Sequence, residues 1–258
     1  MKARMKNFFR YRFLLGELVK KGIKLKYRRS YLGILWSLLE PLLSTIVLTI
    51  VFGTLLGRGG RDFPLYVLCG RLLYSFFASS TKSAARSIRA NSSMIKKVYV
   101  PKYLYPLSSI LFNYIITGIS LLVLIPLCIY CRQYPTFHML YSFLPFAVLF
   151  ILTYGCGMIL ATITVFFRDM EYLWDVLLTL IMYSSAIMYT PEKLMKSGYD
   201  WILKYNPLFC VITNFRDAIM GNPMEWDYLL TAAVIGTALS VIGTYLFYKK
   251  QDEFILAM

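Results

Sequence analysis

The sequence is poor in the residues from which catalytic sites are usually built. It has one histidine, His138, and 13 acidic residues beside 28 lysines and arginines. A single histidine leaves no zinc constellation and no Ser-His-acid set. No glycine-rich phosphate loop ending in Gly-Lys-Ser or Gly-Lys-Thr occurs, so we expect no ATP site of that type and no cofactor in this chain. These absences argue against an enzyme.

The five cysteines do not form a recognisable metal or redox motif. Cys128 and Cys131 are spaced as CxxC, but they lack a second pair and a strand-helix redox context. Most of the cysteines lie in apolar segments, where burial as small hydrophobic residues is the common outcome. We therefore expect no metal site.

The composition is that of an integral membrane protein, with 58% hydrophobic and only 16% charged residues. A net charge of +15 could indicate a nucleic-acid partner, but the basic residues are unevenly placed between the apolar runs. Eleven lie in residues 1–34 and six in residues 81–103, and Arg168, Lys249 and Lys250 fall on the same predicted side. This asymmetry predicts cytoplasmic termini and contact with anionic lipid headgroups, without nucleic acid.

The apolar pattern predicts an all-α membrane protein with a single domain over residues 1–258. Residues 1–34 carry an apolar stripe at helical spacing, which predicts an amphipathic helix on the inner membrane surface; a soluble basic tail is the alternative. Two short re-entrant external helices are predicted within 192–220, broken at Asn206-Pro207. The six predicted membrane spans cover residues 35–57, 65–87, 103–130, 139–167, 172–190 and 227–248.

Two charged positions lie inside or beside these spans. A charged arginine side chain is energetically unfavourable at membrane depth, so we expect Arg71 to snorkel outward. The alternative is that Arg71 faces a water-filled or protein-lined interior. Asp175 lies a little inside the fifth span, and we expect it to pair with Arg168.

Lys26, Arg28 and Arg29 stand at a basic-to-apolar boundary, at the level of the lipid headgroups. This position predicts attraction of a lipid pyrophosphate. Anchoring to bulk anionic lipid is the alternative explanation for the same three residues.

Aromatic residues make up 17% of the chain. Most are explained by belts at the two membrane interfaces, which are usual in membrane proteins. Those placed along the helices suggest instead a lining for a sugar path, because sugar faces stack on aromatic rings. The candidates for this lining are Trp36, Phe52, Tyr74, Phe77, Tyr183 and Tyr189.

Four stretches together carry a resemblance to a known family. They are Leu25-Lys-Tyr-Arg-Arg-Ser-Tyr-Leu-Gly-Ile-Leu-Trp36 with Pro41-Leu-Leu, Ile95-Lys-Lys97 followed by Pro101, Phe166-Phe-Arg-Asp169, and Tyr205-Asn-Pro-Leu208. Over nearly its whole length the chain resembles the permease subunit of ABC-2 type exporters of lipid-linked polysaccharides, such as O-antigen, capsule or wall teichoic acid. It departs from the family at Gly70-Arg-Leu-Leu-Tyr-Ser-Phe-Phe77, where members often read Gly-Leu-Phe-Pro-Trp.

The resemblance implies a bacterial cytoplasmic-membrane homodimer working with two copies of a cytoplasmic ABC ATPase, which would bind Mg-ATP. It implies an aromatic lining and assigns several residues to contacts and gates. The ATPase-coupling residues would be Asn91, Ser92, Met94, Ile95, Lys96, Lys97, Arg168 and Asp169. The external gate would include Trp201, Asn206, Pro207 and Phe215.

The sequence therefore predicts an exporter of a lipid-linked polysaccharide. An ABC-2 exporter of small amphipathic molecules shares the topology and is the first alternative. The second is a membrane enzyme of glycolipid synthesis, for which an acidic or histidine cluster would be expected near a membrane face.

Overall fold

The computed structural model describes residues 2–28, 30–55, 60–97, 100–189, 191 and 200–254, and the regular elements within them are all helical. This confirms the predicted all-α class. Short 3-10 turns cover Gly33–Leu35 and Leu121–Val123, and a π-helical turn covers Ile50–Leu55. The α-helices are α1 (Lys2–Tyr27), α2 (Trp36–Thr49), α3 (Phe63–Ala90), α4 (Ser92–Ile95), α5 (Leu104–Ser120), α6 (Leu124–Cys131), α7 (Phe137–Leu140), α8 (Phe143–Phe166), α9 (Met170–Ser184), α10 (Asp200–Lys204), α11 (Pro207–Met220) and α12 (Trp226–Lys250).

Four helical segments of the described chain are long and apolar enough to cross a membrane. They are Gly33–Phe52, Leu104–Cys131, Phe137–Phe166 and Trp226–Lys250, and they coincide with four of the predicted spans. Helix α3 has 28 residues but carries several basic side chains. Helix α9 has 15 residues, fewer than the roughly 20 that a bilayer core requires. The chain thus has the character of a multi-pass membrane protein, and the count of six spans stays a prediction.

Helix α8 lies at the centre and packs closely against α12 through glycines. A Cβ on Gly155 would lie 2.5 Å from the backbone nitrogen of Ser240, and a Cβ on Gly243 would lie 2.7 Å from the carbonyl oxygen of Gly155. Small residues allow helix backbones to approach this closely in membranes. In the most apolar 18 residues of the segment Phe137–Phe166, 56% are buried, against 11% in the corresponding stretch of Gly33–Phe52, so α2 lies at the periphery.

Helix α1 packs one face against α5. Leu15 and Val19 are buried, whereas Phe13 is 77% exposed. A Cβ on Gly22 would meet the ring of Phe112 at 2.8 Å. A helix is therefore present within residues 1–34, but it ends at Tyr27, and its place on the membrane surface stays a prediction.

Pro126 explains a break in the segment Leu104–Cys131. A proline removes the backbone N–H that would bind the carbonyl of the residue four positions earlier, and its ring clashes with that carbonyl. The residue in question is Leu122, which lies in the 3-10 turn between α5 and α6. The helical segment therefore continues from α5 into α6 through one turn of the tighter 3-10 geometry.

The two ends of α3 define two faces of the bundle, named here the Asp62 end and the Asn91 end. At the Asp62 end, the guanidinium of Arg61 donates to the carbonyl oxygen of Tyr130, with Nη2 at 3.1 Å. At the Asn91 end, a second apolar cluster joins α3, α4, α5, α8 and α12 to the chain after α12. Its buried members are Ile88, Ile95, Tyr105, Met158, Ala161, Val165, Phe247 and Phe254.

Substitution of Gly155 by alanine is expected to lower stability. The new methyl group would meet the backbone of α12, and overpacking of this kind costs about 1–3 kcal/mol. Thermal unfolding of the purified protein in detergent measures the effect. Gly118→Ala is the matched control, because a Cβ there meets nothing within 4 Å and alanine favours helix. Equal melting temperatures for the two variants would contradict the packing described for α8 and α12.

Candidate functional site: a polar stripe on α3

Two cavities flank helix α3 and share one face of it. The first, of about 250 Å³, lies between α3, α2, α5 and the end of α1. The second, of about 360 Å³, lies on the side of α9. Both are lined by Arg71, Ser75 and Ser79. These residues are spaced by four and so lie above one another on the helix; they are named here the polar stripe.

The first cavity is polar although its walls are helices of membrane-spanning type. Its charged lining residues are Lys26, Glu40 and Arg71. Pro41, Leu72 and Ile116 are apolar, and the remaining lining residues carry hydroxyl, amide or aromatic groups. These remaining residues are Tyr27, Ser30, Trp36, Ser37, Ser75, Ser79, Asn113, Thr117 and Ser120. Such a lining suits a hydrated or polar ligand.

Lys26 connects this cavity with the predicted lipid-pyrophosphate site. Lys26, Arg28 and Ser30 also line a surface cavity of about 480 Å³. Desolvation by the surrounding protein lowers the pKa of Lys26, and the nearby carboxylate of Glu40 offsets part of that effect. Arg29, the third predicted residue, lies outside the described residues. Two of the three predicted cations therefore lie next to the polar cavity.

Arg71 faces the space between α3 and its neighbouring helices. It is half-buried and lines both cavities. Its guanidinium makes no hydrogen bond or ion pair within the described parts of the chain. This placement favours the protein-lined alternative, because the polar stripe and hydroxyl-bearing residues of α5 supply polar surroundings; the depth of Arg71 in a membrane stays a prediction.

A polar seam joins α3 to α9. The ammonium of Lys82 lies 2.8 Å from Oδ1 of Asp175. Trp174 donates through Nε1 to Oγ1 of Thr81 at 3.0 Å. The predicted pairing of Asp175 with Arg168 is wrong, because α9 turns Asp175 toward α3. Only Leu178 among the residues of α9 is buried, so hydrogen bonds and ion pairs carry much of the attachment.

Two of the six predicted aromatic lining residues line the cavities beside the stripe. Trp36 lines the first cavity. Tyr74 lines the second and donates to the carbonyl oxygen of Leu178 at 2.8 Å.

The other four aromatic candidates are placed differently. Phe77 is in the core, with its ring centroid 6.2 Å from that of Trp174, and lines neither cavity, so its assignment to the lining stays a prediction. Phe52 lies in the π-helical turn after α2, and Tyr183 is exposed on α9. Tyr189 donates to the carbonyl oxygen of Tyr183 at 2.7 Å.

The two predicted coupling segments lie together at the Asn91 end. In and around α4, Met94, Lys96 and Lys97 are exposed, as are Arg168 and Asp169 in the turn between α8 and α9. Ser92 opens α4 and is partly exposed.

Two of the predicted coupling residues make contacts within the fold. Ile95 is buried in the apolar cluster of the Asn91 end, and its assignment to a partner contact stays a prediction. The amide of Asn91 donates to the carbonyl oxygen of Ser87 at 2.8 Å and so caps the last turn of α3.

Glu171 links the two coupling segments and was not singled out for this role from the sequence. Its carboxylate accepts from Nε of Arg86 at 2.8 Å and also pairs with Arg89. The turn before α9 is thereby tied to the end of α3 that leads into α4. The spacing of Glu171 and Asp175, four residues apart on α9, is the signal that points to one acidic face.

The predicted gate region folds as two helices broken at Asn206-Pro207, within the residues described. Oδ1 of Asn206 accepts from the backbone nitrogens of Leu208 and Phe209, which caps α11, and Pro207 occupies its first turn. Phe215 is buried and Trp201 is exposed. The part of the gate at residues 192–199 lies outside the described residues.

Arg216 is the second residue that the sequence reasoning missed. It is buried on α11 and donates to three carbonyl oxygens: Nε to Tyr66 at 3.0 Å, Nη1 to Ala186 at 3.1 Å and Nη2 to Ile187 at 3.1 Å. Its Cζ lies 3.5 Å from the centroid of the Tyr66 ring. Gly70 makes room for the guanidinium, since a Cβ there would collide with it. Arg216 thus fastens α3, α11 and the turn after α9.

Replacement of Arg216 by glutamine is expected to destabilise the protein by at least about 3 kcal/mol, because three charge-assisted hydrogen bonds are lost and their acceptors stay buried. Arg216→Lys should recover only part of this loss, since a lysine lacks the planar fork. Thermal unfolding measures both. Arg132→Gln, at an exposed position, is the control, and equal stability of Arg216→Gln and Arg132→Gln would refute the role described.

The chain is similar to known membrane transport proteins over most of its length. Residues 14–220 match the family described as ABC-2 type transporter.

Individual relatives match nearly end to end. An O-antigen export system permease protein RfbA from Klebsiella pneumoniae is 28% identical over 260 residues, covering 98% of each chain. The protein of the same name from Myxococcus xanthus is 27% identical, covering 97% of each chain. The polysialic acid transport protein KpsM from Escherichia coli is 24% identical, covering 93% of each chain.

Proposed function

The chain belongs to the ABC-2 type transporter family, and we propose that it is the permease subunit of an ATP-driven exporter of a lipid-linked polysaccharide. The observation that carries the proposal is the similarity of at least 93% of the chain to O-antigen export permeases and a polysialic acid transport protein. The polar first cavity beside α3 agrees with a polar cargo. This similarity favours a polysaccharide over small amphipathic molecules, and a transport subunit over an enzyme.

The proposed site of action is the bacterial cytoplasmic membrane, with six spans and both termini in the cytoplasm. The four apolar segments supply four spans. Helix α3, with 28 residues, is about 42 Å long at 1.5 Å per residue, and α9 would complete the six. The Asn91 end would face the cytoplasm because it is basic. Its cations include Arg86, Arg89, Lys96, Lys97, Lys102, Lys249 and Lys250.

The proposed partners are two copies of a cytoplasmic ABC ATPase and a second copy of this chain. The exposed residues Met94, Arg168 and Asp169 would contact the ATPase, which would hold the Mg-ATP. Helices α2 and α9 leave apolar side chains exposed, such as Val47 and Leu180. A second copy packed along these helices would enclose the second cavity.

Movement of the ATPases would reach the membrane through Glu171. A displacement of the turn at Arg168 and Asp169 would move the start of α9. The ion pairs of Glu171 with Arg86 and Arg89 would transmit this movement to α3. Displacement of α9 would widen the second cavity. The glycan would then pass along the polar stripe toward the gate helices α10 and α11 on the external side. This route, of which the polar stripe is a part, is called the substrate path.

Deletion of the gene is expected to leave lipid-linked glycan on the cytoplasmic face of the membrane, and the wild-type gene should clear it. Fractionation and analysis of the extracted glycolipid provide the measurement. Normal glycan export in the deletion strain would refute the proposed function.

Arg168→Ala combined with Asp169→Ala should abolish both export and substrate-stimulated ATP hydrolysis while leaving assembly with the ATPase intact. The matched control is Lys249→Ala combined with Asp252→Ala, which removes the same two charges elsewhere at the Asn91 end. Co-purification establishes assembly. Unchanged coupling in the first variant would contradict the assignment of this turn.

Arg28→Gln combined with Arg29→Gln tests the proposed attraction of a lipid pyrophosphate. Export should fall several-fold while the amount of inserted protein is unchanged, because the cations that attract the headgroup are lost. The control is Arg12→Gln with Lys20→Gln, two exposed cations on α1. Full export by the first variant would favour the alternative role as an anchor to bulk anionic lipid.

A further inference from the structure

Arg71 differs from the other basic residues of α3 by having no acidic partner in the described chain. Lys82 lies 2.8 Å from Asp175. Arg86 and Arg89 share the carboxylate of Glu171. The guanidinium of Arg71 instead borders two open cavities.

Among the residues that the structure describes, no carboxylate is left over to compensate the charge of Arg71. Glu40 is the one carboxylate that lines the first cavity, and Lys26 lines the same cavity and interacts electrostatically with it. The second cavity adds Lys82, whose charge is paired with Asp175, and no carboxylate is among its described lining residues. Both cavities therefore carry a net positive lining at the polar stripe.

A guanidinium without a counter-charge raises the free energy of a protein inside a membrane. The default explanation for such a residue is therefore a functional role. Its five N–H donors form a fork that matches the two oxygens of a phosphate or carboxylate. Ser75 on α3 and Thr117 on α5 bring hydroxyls to the same space, whereas Ser79 and Ser120, which also line it, donate their hydroxyl protons to carbonyls of their own helices. This combination of a fork and hydroxyls fits an oxyanion in a polar setting.

The size of the first cavity limits what it holds. Its volume of about 250 Å³ lies just below the range of about 300–1,000 Å³ that is typical of small-molecule sites. A hydrated diphosphate or a single sugar unit fits that space, whereas a longer piece of polymer does not. The cavity thus suits one charged group at a time.

We propose that Arg71 is an oxyanion-binding residue of the substrate path, which receives a phosphate or carboxylate group of the cargo and passes it from the first cavity to the second. This inference rests on the proposed function and narrows it to an acidic cargo. The charged group has two sources: the diphosphate of the lipid carrier, or acidic groups in the glycan. Arg71 is shared by both cavities, so either source passes the same side chain.

Binding measurements on the purified full-length protein in phosphatidylcholine nanodiscs test the proposal, since this zwitterionic lipid adds no net negative charge. Farnesyl diphosphate is the carrier probe and oligogalacturonate is the acidic glycan probe. Farnesol and maltotetraose are their uncharged counterparts. The variants are Arg71→Gln and Arg71→Lys, with Arg132→Gln as the control at an exposed arginine.

The Kd of at least one acidic probe is expected to rise about tenfold or more for Arg71→Gln, because a bidentate charged contact is lost. Arg71→Lys should lose less, and Arg132→Gln should match the wild type. A selective loss for farnesyl diphosphate assigns the site to the carrier, and a selective loss for oligogalacturonate assigns it to the glycan. Equal binding by wild type and Arg71→Gln, or no binding of either probe to the wild type, would overturn the proposal.

Ser75→Leu provides a second variant should Arg71→Gln fail to fold. It fills the wall shared by both cavities and keeps the guanidinium, so it should weaken the same acidic probe; unchanged binding would again overturn the proposal. The outcome is independent of the export assay. If gene deletion leaves glycan export normal and Arg71→Gln still loses the acidic probe, the oxyanion site stands and the polysaccharide assignment fails.

Discussion

The pairing of cations on α3 with carboxylates on α9 is the constraint on which the position of α9 depends. Helix α3 carries a basic residue on nearly every turn of its second half, and α9 presents Glu171 and Asp175 to it. Lys82, Arg86 and Arg89 thus each have a carboxylate beside them, although the side chains of Lys82 and Arg86 stay 42% and 60% exposed. This pairing places α9 along α3, and with it the second cavity and the turn at Arg168.

The same constraint explains why α9 is attached differently from the central helices. Helices α8 and α12 meet through glycines, with backbones in contact, and such a contact does not slide without opening a gap. Helix α9 contributes little buried apolar surface and is held by ion pairs and hydrogen bonds. Polar contacts of this kind can exchange partners along the seam. A helix so attached is suited to move while α8 and α12 stay in place.

At the Asp62 end of the bundle, side chains supply hydrogen-bond partners to backbone groups that lack them within the helices. The turn after α9 leaves the carbonyls of Ala186 and Ile187 without intrahelical bonds, and Arg216 supplies donors to both. Asn206 does the same for the free N–H groups at the start of α11. One buried charge and one cap therefore hold an irregular segment beside the polar stripe. Without them the turn would leave buried polar groups unpaired.

The sequence by itself determined the helical class, the apolar segments, the break at Asn206-Pro207 and the family, because hydrophobic periodicity, turn residues and motifs are local properties of the chain. It could not determine which charges pair, because pairing depends on which helices become neighbours. Asp175 binds Lys82 and not Arg168, Phe77 enters the core, and Ile95 turns inward, each as a result of packing between distant segments. The position of Arg71 between two cavities, and the three bonds of Arg216, were likewise decided only by the tertiary structure, which brings their surroundings together from α2, α5, α9 and α11.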